Sequence, residues 1–249
     1  MLKKITILNF SNIYKEEKFY KDVNATWIDC SDICGADCFC DGEAAQIIRQ
    51  RIKDVSPHGL HFIDSGNYHY ISKFFTDKIH EKFSIVVFDH HPDMQPTLFD
   101  QLLTCGDWVK SVLDTNKFVE KVVLVGTSDK LIANIPNEYC QRIVCFPESK
   151  LHDRQAWQRF YNLHFCNPIY VSIDKDVLSP NDEATNWDQG KTTLPELKRL
   201  VVSLLHHNKL IGVDICGECN YSIIGLLDRK VQENDYVNSE LLKLLDEKQ

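Results

Sequence analysis

Two short acidic clusters carry the chemistry legible in this chain: Asp89-His90-His91-Pro92-Asp93 and Ser172-Ile173-Asp174-Lys175-Asp176. Asp89, His91 and Asp93 stand at every second position, as do Asp174 and Asp176, and in extended backbone that spacing throws side chains to one side. Carboxylates and imidazoles gathered at one edge repel one another unless a cation sits among them. A pair of divalent metal ions would meet that need. Mixed carboxylate and imidazole donors suit Mn2+, Zn2+ or Fe2+, and a carboxylate-rich set leans toward manganese. Two ions so held acidify water and polarise an electrophilic carbon, which is the chemistry of hydrolysis. Alone, a D-x-D after a strand is more often a turn cap, and a His-His pair is more often surface or core. Two clusters in matching register are hard to attribute to chance.

The elements that must position them follow from the runs that precede them. Residues 84–88 (Ser-Ile-Val-Val-Phe) and 168–171 (Pro-Ile-Tyr-Val) are apolar and rich in β-branched residues, so both clusters are expected at the carboxyl ends of strands, where sites of open parallel sheets are built. Similar runs recur at 4–9, 26–29, 60–64, 121–126, 142–146 and 209–214. Between them lie helix-like stretches, notably 43–53 and 194–206, the latter introduced by Thr193-Leu194-Pro195-Glu196. Continuous apolar runs alternating with amphipathic helices indicate parallel strands buried on both faces. The expected fold class is α/β, a three-layer α/β/α sandwich with a mainly parallel, roughly eight-stranded sheet. Residues 179–192 read as a loop and 236–248 as a terminal helix with a polar face.

The chain has 249 residues, 43% of them hydrophobic and 26% charged, with no repeat or linker, which suits a single soluble domain over 1–249. A net charge of −8 without clustered Lys or Arg argues against a nucleic-acid partner and more easily accommodates a small cationic or neutral substrate, with a cationic one favoured by the acidic clusters. The absence of a long apolar run or a signal segment places the expected location in the cytoplasm, away from membranes. Self-association into a homo-oligomer is left open. Of the ten cysteines, Cys30, Cys34, Cys38 and Cys40 crowd together, but their spacing fits no common zinc pattern, so they are expected to be reduced thiols.

These residues resemble the ureohydrolases, the arginase, agmatinase and formiminoglutamase relatives within the arginase/deacetylase fold. That family carries D-x-H-x-D after one strand and S-x-D-x-D-x-x-D-P after a later one, which Asp89 to Asp93 and Ser172 to Pro180 match in order and distance. An earlier G-G-D-H-S element has its counterpart in Gly66-Asn67-Tyr68-His69-Tyr70. The resemblance spans roughly residues 60 to 220. It implies that His69, Asp89, Asp93 and Asp174 hold one Mn2+, that His91 and Asp176 hold a second together with the shared Asp89 and Asp174, and that the enzyme hydrolyses a guanidino-, amidino- or formimino-type C–N bond, with Asp176 accepting a proton.

Three positions depart from the family pattern. Where the family has a His-Gly pair implicated in proton transfer or substrate contact, this chain has Cys105-Gly106; a thiol facing the metals would have a lowered pKa and high reactivity. The aspartate before Pro180 is replaced by Ser179, and the late D-x-x-E, whose glutamate grips a guanidinium, appears as Asp214-Ile215-Cys216-Gly217-Glu218, one residue long. A bulge there would let Glu218 pair with a cationic substrate. Rival readings are a D-H-H phosphoesterase, a dithiol oxidoreductase using Cys216 and Cys219, and an arginase-like protein that binds metal without turnover. Surface or core placement is the default for His61, His80, His152, His164, His206 and His207, and Trp108 is either a pocket wall or packing.

Overall fold

The computed structural model describes residues 4–96, 102–219 and 227–247. In chain order the elements are β1 (Ile5–Asn9), β2 (Ala25–Asp29), β3 (Phe39–Cys40), α1 (Gly42–Arg51), β4 (Leu60–Phe62), α2 (Ile71–Thr76), β5 (Phe83–Phe88), β6 (Leu103–Thr104), α3 (Trp108–Thr115), β7 (Val119–Val125), α4 (Asp129–Ile132), β8 (Ile143–Phe146), α5 (Arg154–Tyr161), β9 (Ile169–Asp174), α6 (Leu194–His207), β10 (Leu210–Cys216) and α7 (Leu227–Glu247). Eight strands form one parallel sheet in the order β2-β1-β4-β10-β9-β5-β7-β8, and β3 pairs antiparallel with β6 outside it.

The strand sequences explain the layering. Every residue of β5 and β9 is buried, as strands covered on both faces require. One face packs Val86, Phe88, Val171 and Ile173 against Leu197, Val201 and Leu204 of α6 and Leu241 and Leu245 of α7. The other packs Ile85, Val87 and Tyr170 against Ile48 of α1, Phe74 and Phe75 of α2, and Val109 and Val112 of α3. This is the expected three-layer α/β/α sandwich. Helix α6 starts where Thr193-Leu194-Pro195-Glu196 predicts, with a reciprocal capping box between Thr193 and Glu196.

All eight expected apolar runs are strands, with ends shifted by a few residues. β4 stops at Phe62 because Asp64 adopts a left-handed φ of 69° and turns its carboxylate back onto the amides of Phe10 and Ser11. The terminal helix begins earlier than expected, at Leu227, and Lys248, its expected end, lies outside the described residues. The short β3–β6 pair was not legible, being two residues per strand.

Candidate metal centre and its pocket

Strand order brings the two clusters together. β5 and β9 are neighbours with Phe88 opposite Ile173, so Asp89 and Asp174, each one residue on, emerge side by side. β10 flanks β9 with Cys216 opposite Asp174, and β4 flanks β10. Beyond β4 the 3-10 turn Gly66–Tyr68, capped by the Ser65 hydroxyl, delivers His69. Gly66 permits the close approach: a Cβ there would lie 2.9 Å from Asp174 Oδ2.

The donors divide around Asp89. His69 Nδ1 lies 3.2 Å from Asp89 Oδ2, 3.0 Å from Asp93 Oδ2 and 3.4 Å from Asp174 Oδ2. His91 Nδ1 lies 2.8 Å from Asp176 Oδ2 and 3.5 Å from Asp89 Oδ1. Asp89 therefore turns one oxygen to each imidazole. Burial, and then the charges of its carboxylate neighbours, push Asp174 up to about 7, and Asp176 rises likewise to about 6. Burial opposes a charge on His91, but its hydrogen bonds to Asp176 and Asp89 outweigh this and push its pKa up to about 12. Four buried carboxylates this close are short of positive charge, and the nitrogen and oxygen donors present suit divalent ions.

The five residues do not converge by alternation along extended backbone. The convergence comes from turns, because both clusters lie at or beyond the end of regular strand. The His91 amide donates to Asp89 Oδ1, and Asp93 takes a left-handed φ of 49°. Asp174 caps the 3-10 turn Lys175–Val177, its Oδ1 accepting from the Asp176 amide at 3.0 Å.

A second layer, unread in the sequence apart from its motif residues, aims these groups. His69 Nε2 lies 2.8 Å from Ser172 Oγ, and the Ser172 hydroxyl donates to Asp214 Oδ1. Ser172 thus accepts the Nε2 proton, and Nδ1 is presented to the carboxylates. Trp108 is completely buried and donates from Nε1 to Asp93 Oδ2 at 2.6 Å, which makes it a support for Asp93 and not a pocket wall. The Cys216 thiol donates to Asp174 Oδ2 at 3.2 Å, so it is spent within the cluster.

Glu218 requires a larger correction. Its carboxylate is fully buried and accepts from Lys175 Nζ, from Asn234 Nδ2 at 2.9 Å and from Asn238 Nδ2 at 2.8 Å, and it does not line the pocket. Gly217, at φ 105°, turns the chain, and the Glu218 amide donates to Asp64 O. The extra residue is absorbed by this left-handed turn, which aims Glu218 away from the carboxylate cluster. Lys175, between the two ligand aspartates, points into the same buried network and also pairs with Glu183 at 3.1 Å.

The cluster floors a cavity of about 470 Å3. Cys105 lines it, as expected for a residue at the family's pocket histidine, but Cys38 lies directly across from it, one position beyond the β3–β6 register, with the Cys105 amide donating to Cys38 O at 3.0 Å. Without metal ions the Cys105 thiol is held above the usual range, the hydrogen bond with Cys38 raising it most, followed by burial and the charge of Asp93. Cys38 is the partner whose pKa is lowered, by the same bond. In metal-free protein at mildly alkaline pH, Cys38 should alkylate several-fold faster than Cys105, as peptide mapping by mass spectrometry would record; faster labelling of Cys105 would reverse this order. Cys30 and Cys40 are buried and Cys34 is exposed, and among the described residues none of the four joins a metal-type cluster.

A profile of the arginase family matches residues 7–220. An uncharacterized protein of Thermotoga maritima is 30% identical over 97% of this chain and 89% of its own length. Among solved structures, the agmatine ureohydrolase of Thermoplasma volcanium superposes with a TM-score of 0.68 at 12% identity, covering 97% of this chain and 88% of its own. The formimidoylglutamase of Bacillus subtilis gives 0.65 at 15%, covering 98% and 86%. A hypothetical agmatinase of Burkholderia thailandensis gives 0.67 at 16%, covering 97% and 85%.

Proposed function

The chain belongs to the arginase family, and from that premise we propose that it is a two-metal hydrolase cleaving a C–N bond of a guanidino-, amidino- or formimino-type group. The observation that carries this reading is the division of Asp89 between two imidazole-centred sets of donors. One ion would be held by His69, Asp89, Asp93 and Asp174, the other by His91, Asp176 and the shared Asp89 and Asp174. The pair would supply Lewis acidity and a water acidic enough to react at neutral pH. Mn2+ suits the oxygen-rich donor set, with Zn2+ and Fe2+ as competitors.

The residues of the chain do the rest. Asp176, steadied by the His90 amide on Oδ1 and by His91 on Oδ2, takes up the proton of the attacking water. Ser172 and Asp214 hold the His69 tautomer, and Trp108 holds Asp93. Cys105 sits at the pocket wall, where its neutral thiol shapes the cavity instead of moving protons. Ten free thiols suit a reducing cytoplasm, and among the described residues no helix is long and apolar enough to cross a membrane.

The test combines elemental analysis of the purified protein with urea and ammonia release from a panel of guanidines, amidines and formimines. Two ions per chain and release from at least one compound are expected. Hydrolysis of phosphodiesters with no release from the panel would install the D-H-H reading instead. Two ions with no turnover of any compound would favour metal binding without catalysis.

A further inference from the structure

The walls above the metal cluster are apolar. Phe39, Met94, Pro96, Leu131, Ile135 and Trp187 line the cavity, and its other polar lining consists of the Gln95 and Asn134 amides, Thr104 and the two thiols. Among the described residues, no Lys or Arg lines it, and its only carboxylates are the proposed ligands Asp89, Asp93, Asp174 and Asp176. Two divalent ions would balance those four charge for charge, so no net negative charge remains to attract a second cation. Glu218, the one residue expected to pair with a cationic group, is held by Lys175, Asn234 and Asn238 away from the cavity. A second observation points the same way. Two of the four large hydrophobic side chains left exposed among the described residues, Phe39 at 47% and Trp187 at 40%, line this cavity.

An ammonium or amino-acid group placed against these walls would lose hydration and gain no charged partner. An alkyl or aryl group there would leave water and bury the exposed rings. We propose that the substrate carries, on the side away from the reacting carbon, an uncharged apolar substituent, and so differs from guanidino and formimino compounds that end in an amine or an amino acid. This rests on the metal-centre reading for which end of the substrate meets the ligands.

The discriminating probes are n-pentylguanidine and agmatine, which share a guanidinium head and differ in a terminal methyl against a terminal ammonium. Binding to the metal-loaded protein, measured by calorimetry, does not require turnover, so this inference and the proposed activity can fail separately. The methyl-ended compound should bind at least about tenfold more tightly. Leu131→Glu, which places a carboxylate on the far wall outside the metal ligands, should invert the preference while two ions are retained. Asp100, the one acidic residue between Pro96 and Leu102, lies outside the described residues, and Asp100→Asn should leave the preference unchanged. Equal or tighter binding of agmatine, no measurable binding of either compound, or a preference abolished in Asp100→Asn would overturn the proposal.

Discussion

Asp89→Ala protein should leave purification with neither metal ion, although only one side chain has been removed. Asp89 turns one oxygen to each imidazole, and its removal takes a donor from both proposed ions at once. Wild-type protein at a hundredfold excess of metal over Kd should gain about 2.7 kcal/mol per ion, or roughly 10–20 °C in Tm for the pair in a chain of this size. Asp89→Ala should gain almost nothing, and its hydrolytic rate should fall by about three orders of magnitude or more, because a two-metal site has no substitute source of activated water. The metal-free variant should melt no lower than metal-free wild type, since one of four mutually repelling buried carboxylates has gone. That separates loss of a ligand from loss of the fold. Two ions per chain in Asp89→Ala by elemental analysis would refute the shared-ligand assignment.

The largest stability effect should come from a residue that touches no substrate. Lys175 is completely buried and is the cation facing Glu218 and Glu183, with Glu17 joined to them through Asn238. Lys175→Met keeps the side-chain length but removes that charge, leaving Glu218 ionised with only the Asn234 and Asn238 amides and no cation. Breaking a buried pair in this way should cost about 3–5 kcal/mol, roughly 10 °C in Tm. Adding Glu218→Gln to Lys175→Met should recover a large part of the loss, which a simple packing defect would not allow.

The same network makes stability fall as pH rises toward 8. Burial pushes Glu183 up to about 8 and raises Glu17 well above the usual carboxylate range, whereas Lys175 holds Glu218 below it. A carboxyl raised in the folded state contributes stability that is complete below its unfolded value and is lost as pH rises through the folded one. The melting temperature should therefore decline from about pH 5 to 8, between the unfolded and folded values, and Glu183→Gln should flatten that decline. A wild-type Tm that holds steady across this range would remove Glu183 from the network's titration.

What this chain's sequence determined by itself is local. The apolar runs before Asp89 and before Ser172 are read as buried strands, because Ile85 to Phe88 and Ile169 to Val171 are unbroken β-branched or aromatic residues with no solvated face. Acidic residues placed at such strand ends are confined to one edge of the sheet, so the ligand candidates Asp89, His91, Asp93, Asp174 and Asp176 could be named from spacing, and His69 from resemblance. Tertiary structure decided where the other side chains point. Glu218 and Lys175 lie far apart in the chain, and only the left-handed turn at Gly217 and the packing of α7 bring the glutamate to the lysine instead of the pocket. Cys38 meets Cys105 only because two-residue strands, too short to leave a periodic signal, happen to pair. The apolar walls draw on the β3 strand, the α4 turn and the loop before α6, segments that share no motif. Strand burial is dictated by consecutive residues and shows in the sequence; substrate contacts depend on through-space neighbours and on single backbone turns, which no local pattern encodes.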